Sequence, residues 1–586
     1  MHVVATAGHV DHGKSTLVRA LTGMEPDRWA QERSRGMTID LGFAWTTLPT
    51  GRTVAFVDVP GHERFVPNML AGVGPVPAAL MIVAADEGWK PQSAEHLAAL
   101  HALDVRHGLL VVTRADLADP RAAQAQAQAE LARTSLAGAE AVTVSATTGA
   151  GLDDLRAALD RLAGRLPAPD PEAPVRLWID RAFTIKGAGT VVTGTLGAGR
   201  LRPGDELTLG PDTVRVRGLQ SLGEQRGEVS AVARVAVNLR GVDRDQAARG
   251  DALLTPGRFR ATDLLDVRVH GDPVADLPQT LILHLGSAAV PARVRPLGAD
   301  TARLRLARPL PMHIGDRALV RDPGRRHIAG GVTVLDVAPP GLTRRGAAAA
   351  RAAVLDGVDG VPDLAAEVRR RRLARRGDLT AMGVPVDRDP TAGDWFVDPD
   401  HWADLHRRLA DEVERHTREN PLEPGAPLEA LRHRLGLPDR VLVEALVRPP
   451  LSVKGGRVRP TAGPPGVPAQ LTAAVDKAFA GRSPFAAPEA YHLNDLGLGP
   501  RQQAAAVRAG LLIQLAPNVL LRADAAEHAA RELSKIEQPF TLSEARRALG
   551  TTRRVAVPLL ELLDRRGLTR RLGDDRRITD PRAELA

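Results

Sequence analysis

An eight-residue run near the start of the chain, Gly8-His9-Val10-Asp11-His12-Gly13-Lys14-Ser15, constrains the fold more than any other feature. It fits the spacing G-x-x-x-x-G-K-[ST], follows the apolar run 3–7 and opens a helical stretch. A glycine-bearing turn between a strand and a helix wraps backbone N–H groups around phosphate, and the helix dipole adds positive potential there. In that arrangement Lys14 reaches the β- and γ-phosphates, Ser15 offers its hydroxyl to Mg²⁺, and Thr16 continues the turn.

Further apolar runs follow at 54–57, 80–85, 109–112 and 142–144, separated by Ala/Leu-rich helical stretches. The runs are nearly continuous rather than alternating, the pattern of parallel strands covered on both faces, so an α/β P-loop domain is expected. Three of the remaining motifs sit at the ends of such runs, and the one with Thr38 lies between the first two motifs. Asp58-Val59-Pro60-Gly61 places a carboxylate for Mg²⁺, through water, and a Gly61 N–H for the γ-phosphate. Thr38, in Arg35-Gly36-Met37-Thr38-Ile39-Asp40, completes the Mg²⁺ shell. Thr113-Arg114-Ala115-Asp116 falls where guanine readers carry N-K-x-D. Thr and Arg replace Asn and Lys, but Asp116 can still accept from the guanine ring N–H and amine. Ser145-Ala146-Thr147 fits the loop that touches the guanine oxygen. The order and spacing indicate GTP and GDP as ligands, with Mg²⁺. His62, directly after Gly61, can orient the attacking water. His9 and His12 are not read as a metal pair, because they lie in a loop whose backbone contacts phosphate.

The rest of the chain is organised differently. Arg165–Pro174 (RLPAPDPEAP) is a linker, since repeated Pro continues neither helix nor central strand. From 175 to 340, short β-rich runs punctuated by Gly, Pro and Asp predict two small β-barrels. Beyond Pro339-Pro340-Gly341, helix–turn–helix–hairpin patterns recur at roughly sixty residues and read as winged-helix (α+β) domains, with a linker at 461–468. The chain of 586 residues is too long for one core. The predicted division is a GTP-binding domain 1–170, barrels 175–257 and 258–340, and winged helices 341–400, 401–465, 466–533 and 534–586. With no Cys, disulfides and thiolate metal sites are excluded. No apolar run approaches the ~20 residues that span a bilayer. The N-terminus lacks the pattern of a signal peptide, so a cytoplasmic protein without membrane contact, and a monomer, is expected. The net charge of +8, mostly an excess of Arg, fits a polyanionic partner such as RNA and equally fits an Arg-rich composition.

These residues resemble the translational GTPases. GHVDHGKSTL, RGMTIDLGF and DVPGHERF look most like the selenocysteine-specific elongation factors (SelB), which are related to elongation factor Tu. So do DRAFTIKGAG, running on into VVTGT, and the terminal ARRALGTTRRVAVPLLELLDRRGLTRRLGDDRR. The resemblance covers the front two thirds and the last domain, and between about 343 and 536 it is one of architecture alone. It implies GTP-dependent delivery of selenocysteyl-tRNA to the ribosome at a recoded UGA codon, with the last winged helix on an mRNA hairpin. Arg181 and Arg234 match family pocket positions, with Asp180 beside Arg181. Fixed cations there would favour an anionic selenolate over a neutral seryl hydroxyl.

In the last domain, 543–549 and 553–566 read as the two helices of a helix-turn-helix, and 568–571 with 576–578 as a wing. Arg546, Arg553, Arg554, Arg570, Arg571, Arg576 and Arg577 are the candidate RNA contacts. Pro558 falls inside the second helix and removes a hydrogen bond there. Two other readings stay open at this point: an initiation-type GTPase that binds tRNA but no hairpin, and a DNA-binding regulator with a GTPase switch.

Overall fold

The computed structural model describes residues 1–26, 38, 40–74, 76–187, 189–420, 422–461 and 469–580. Arg35, Gly36, Met37 and Ile39 of the Thr38 motif, and 462–468 of the expected linker, lie outside them. The chain forms two compact units, Met1–Asp389 and Pro390–Ala586.

The first unit begins with a six-stranded sheet: β1 (His2–Ala7), β2 (Gly42–Thr47), β3 (Thr53–Asp58), β4 (Ala78–Ala84), β5 (His107–Thr113) and β6 (Glu140–Thr143). The strand order is β2-β3-β1-β4-β5-β6, parallel throughout except for β2 against β3. Alternate residues of β1 feed two cores. Val3, Ala5 and Ala7 pack with the helices Val66–Val73, Pro91–Ala102 and Pro120–Leu131. Val4 packs with Lys14–Thr22 and Leu152–Arg165 on the other face. Burial on both faces explains the unbroken apolar runs, and β4 is buried along its whole length.

Two barrels follow. In the first, six strands close a ring: Arg176–Trp178, Gly189–Leu196, Ala233–Arg240, Asp212–Ser221, Glu206–Leu209 and Ala252–Leu254, with Arg181–Ile185 pairing on the outside of Gly189–Leu196. The second is a closed barrel of six strands between Arg260 and Asp336. Its strands reach 12 residues, longer than the short runs visible in the sequence, because register bulges and exposed Arg positions interrupt the apolar pattern. This barrel docks on the GTPase domain through backbone. A Cβ on Gly331 would stand 2.1 Å from the Ala102 carbonyl oxygen, so only glycine fits.

The helices Ala347–Asp356 and Leu364–Arg371 belong to the first unit. Arg351 donates to Asp266 at 2.7 Å and to Asp336 at 2.6 Å, Arg303 to Asp266 at 2.7 Å, and Arg371 to Asp336 at 2.5 Å. Asp266 and Asp336 are fully buried, so these bonds satisfy carboxylates that burial alone would penalise heavily.

The second unit carries paired helices and small hairpins. At its end Leu542–Ala548 and Arg553–Arg565 are followed by the antiparallel strands Thr569–Arg571 and Arg577–Thr579. Thr541 and Glu544 close a capping box on the first helix. The second runs through Pro558, whose missing N–H leaves the Arg554 carbonyl without its helical partner. One hydrophobic cluster joins Phe485, Leu515 and Leu521 to Leu559, Leu560 and Leu563, so the last helix pair shares its core with the preceding segment.

Candidate nucleotide site and aminoacyl pocket

The turn after β1 is built on left-handed backbone. Gly8 has φ +143°, and a Cβ there would stand 2.3 Å from the Ile82 carbonyl oxygen. Gly13 caps the helix Lys14–Thr22 in a left-handed conformation, with no side chain on the free N–H groups. Those N–H groups are therefore available to an anion. They open into a cleft of about 680 Å³ lined by Val10, Asp11, Gly13, Lys14, Ser15, Thr16, Thr38, Gly61, Thr113, Arg114, Asp116, Ala146 and Thr147. Arg19, Glu25 and Leu117, which no motif singled out, line it too.

Three oxygen donors converge at one end. The Ser15 hydroxyl donates to Asp58 Oδ2 at 2.6 Å and lies 2.9 Å from the Thr38 hydroxyl, while Thr6 donates to Asp58 Oδ1 at 2.7 Å. Burial raises the Asp58 carboxyl above its usual range, against the hydrogen bonds from Ser15 and Thr6. Two hydroxyls and a buried carboxylate in want of a cation suit a hard, oxygen-preferring ion such as Mg²⁺. Lys14 Nζ donates to the His9 and Gly8 carbonyls at 2.7 and 3.2 Å. A Cβ on Gly61 would stand 2.5 Å from that Nζ, so the bare Gly61 backbone and Lys14 share the phosphate end.

The irregular Thr113-Arg114 pair has a structural account. The Thr113 hydroxyl donates to the His12 carbonyl at 2.8 Å and so ties β5 to the phosphate turn. Arg114, at φ 56°, bonds Asp86 and Glu87 at 3.0 Å each and the Asp11 carbonyl. Asp116 stays on the cleft wall. Ser145 is buried and accepts the Thr148 N–H at 3.1 Å.

His9, His12 and His62 are not among the lining residues. His12 is buried, and burial lowers its pKa to about 4. Its ring lies edge-on to His9, centroids 5.0 Å apart. His62 Nδ1 accepts the Arg64 N–H at 3.2 Å, with the ring 5.9 Å from Phe65. Sequence reasoning missed His96. Its Nδ1 accepts the Gly8 N–H at 3.0 Å from a fully buried position, and burial keeps the ring neutral with a pKa of about 3. Nothing in a lone His on an Ala/Leu helix signals that contact across 88 residues.

The expected pocket residues meet at the face between β2 and the first barrel. Arg234 forms a two-pronged pair with Asp180, one bond at 2.7 Å, and its guanidinium stacks 3.8 Å over the Phe43 ring. Arg181 donates to Asp40 at 2.8 Å. Arg249, also missed, lies 3.6 Å from Asp40 and donates to Asn68 at 2.9 Å. Among the described residues, three guanidiniums thus face two carboxylates, Asp40 and Asp180.

The expected RNA contacts separate into two groups. Arg546, Arg553 and Arg570 are exposed and form no ion pair among the described residues. Arg571 and Arg576 pair with Asp575 and Asp574, and Arg554 with Glu489. Arg577 is a correction: it is buried, with Nε 2.9 Å from Asp564, because its strand position points into the domain core.

Family models match in the same order as the domains. Elongation factor Tu GTP binding domain covers residues 1–165, and Elongation factor Tu domain 2 covers 189–254. The beta-barrel domain of selenocysteine-specific elongation factor covers 265–341, and the winged helix of elongation factor SelB covers 531–578. The chain is 32% identical to the selenocysteine-specific elongation factor of Escherichia coli K12, over 99% of each chain. The crystal structure of a bacterial selenocysteine-specific elongation factor superposes with a TM-score of 0.78 at 24% identity, covering 99% of this chain and 100% of that one, a likeness of fold. The Methanococcus maripaludis factor with the GTP analogue GppNHp superposes at TM-score 0.51 and 26% identity, over 58% of this chain and 79% of that one. With a phosphate turn, a Mg²⁺ donor set, two barrels and a terminal winged helix in this order, the chain is a GTP- and Mg²⁺-dependent GTPase and belongs to the selenocysteine-specific elongation factor family.

Proposed function

We propose that the protein carries selenocysteyl-tRNA to the ribosome at recoded UGA codons and hydrolyses GTP there, its last winged helix holding an mRNA hairpin. On this reading the protein works in the cytoplasm, and four winged helices, divided near 400, 465 and 533, follow the barrels along the chain. The observation that carries it is the set of arginines at the first barrel, Arg181, Arg234 and Arg249, which among the described residues outnumber the carboxylates they face. A selenol is more acidic than a thiol and largely anionic at neutral pH, whereas the seryl hydroxyl of the precursor is neutral. A guanidinium 4 Å from a selenolate contributes about 4 kcal/mol at an effective dielectric of ~20, before desolvation. Asp40 and Asp180 offset part of this, so the net selectivity is well below that sum. Within the nucleotide site, Ser15, Thr38 and Asp58 would hold Mg²⁺, which would supply positive charge against the phosphates. Lys14 and the Gly61 N–H would hold the γ-phosphate.

The test is binding of selenocysteyl-tRNA against seryl-tRNA with a GTP analogue. Arg181→Ala and Arg234→Ala should each weaken the selenocysteyl form far more than the seryl form. Lys at either position should retain part of the preference, since charge remains and the planar fork is lost. Equal losses for both tRNAs would assign the arginines to the tRNA backbone and sink the pocket.

The exposed Arg553 and Arg570 are the RNA contacts we assign to the last domain. In the full chain, Arg553→Ala with Arg570→Ala should weaken hairpin binding and reduce its salt slope by about one unit for each phosphate no longer met by a guanidinium. Arg577→Ala should instead lower the domain's stability, by leaving Asp564 with the Thr569 hydroxyl but without its guanidinium. Equally tight binding of the wild type to any duplex DNA would favour a DNA-binding regulator.

A further inference from the structure

We infer that Tyr491 extends the RNA surface onto the segment before the last domain, where its ring stacks on an unpaired base of the hairpin. The inference rests on the reading that the last domain holds RNA. Aromatic side chains are scarce in this chain, one Tyr, nine Phe and six Trp. Among the described residues no Phe or Trp is exposed, whereas Tyr491 is 70% exposed. Helix geometry puts it outside. It lies on the short helix Ala490–Asp495, whose Leu493 is buried in a core with Leu498, Ala505 and Ala506. Two positions along a helix are about 200° apart around its axis, so burying Leu493 turns Tyr491 to solvent.

Single exposed apolar residues are ordinary, and what sets this one apart is its neighbours. Glu489, two residues and at most ~7 Å of chain away, accepts from Arg554 at 3.0 Å. The same guanidinium donates to the Asn518 carbonyl at 2.8 Å. Arg554 stands on the first turn of the last helix, next to the exposed Arg553. The Thr551 hydroxyl donates to the Phe485 carbonyl at 2.5 Å, and the two segments share one hydrophobic core. Tyr491 is therefore held beside the cationic end of the helix that carries Arg553 and Arg554. Cations hold phosphate without regard to sequence, whereas a ring face takes a base. Every unpaired base presents such a face, so Tyr491 favours a loop or bulge over a closed duplex. That gives the surface a preference for a hairpin that arginines alone do not supply.

The test uses the full chain and a stem-loop RNA, the one the wild type retains best from a pool with randomised loops, with the same stem as a blunt duplex for comparison. Tyr491→Ala should weaken stem-loop binding about tenfold, within the range for a base stacked on an aromatic ring. Duplex affinity and the salt slope should stay as in the wild type, since no cation is removed. Tyr491→Phe and Tyr491→Trp should keep the affinity, because the ring face makes the contact. 2-Aminopurine, substituted in turn at each loop position, should lose fluorescence at one position when the wild type binds and keep it with Tyr491→Ala. Arg553→Ala should do the reverse, lowering the salt slope and leaving that quenching in place. Full stem-loop affinity in Tyr491→Ala overturns the stacking role and leaves the exposed ring to a protein partner, and an equal loss on the duplex overturns it too. A wild type that binds stem-loop and duplex alike removes the hairpin reading itself and the stacking role with it. A wild type that prefers the stem-loop, matched by Tyr491→Ala, removes the stacking role alone.

Discussion

His62→Ala is expected to lower ribosome-stimulated GTP hydrolysis by about 10²–10⁴-fold, the range for a group that positions or relays a proton in a transition state. GTP and GDP affinities should change little, because His62 is not among the residues that line the nucleotide cleft. The ring accepts the Arg64 N–H and rests beside Phe65, so reaching an attacking water requires a change of side-chain conformation. That requirement places the effect in the stimulated rate rather than in the slow rate of the free protein. Single-turnover hydrolysis with and without ribosomes separates the two. A variant that hydrolyses GTP on the ribosome at the wild-type rate excludes His62 as the residue that orients water.

Asp116→Asn is expected to weaken GTP binding by roughly 10²–10⁴-fold. Two charge-assisted hydrogen bonds to the guanine ring N–H and amine are lost, at about 1.5–3 kcal/mol each. The same change should raise affinity for xanthosine triphosphate, whose ring presents a carbonyl where guanine has an amine, so that the new amide donates where the carboxylate accepted. Asp116 lies on the cleft wall beside Arg114 and Ala146 and Thr147, as this role needs. The substitution should not disturb the turn itself. Thr113 and Arg114, not Asp116, bond the carbonyls of His12 and Asp11. Competition binding with the two triphosphates checks the exchange. Unaltered GTP affinity would mean that another group reads the base.

The nucleotide site was legible because its parts are local. A glycine-bearing turn, a lysine and a serine within eight residues of one another report their geometry directly, and Asp58, Gly61 and Asp116 each sit at or just past the end of a strand. The order of domains was legible for a related reason: linkers, apolar runs and turn residues change character where the architecture changes. Partners of charged side chains were not. Arg181, Arg234 and Arg249 look alike in a chain this rich in Arg, and which carboxylate each meets depends on how β2 and the first barrel face one another. The first-unit helices near Arg351 and Arg371 carry the same ambiguity, resolved by two buried aspartates of the second barrel. Arg577 reads as one more wing arginine until strand pairing turns it toward Asp564. His96 has no motif at all, and only folding brings it to Gly8. Residue type and spacing thus determined the phosphate turn, the Mg²⁺ donors and the order of domains, because backbone geometry links neighbours in sequence. Tertiary structure alone decided which charges are spent on one another and which remain for a ligand, because an ion pair depends on distance in space and on burial, and neither is written in the spacing of residues.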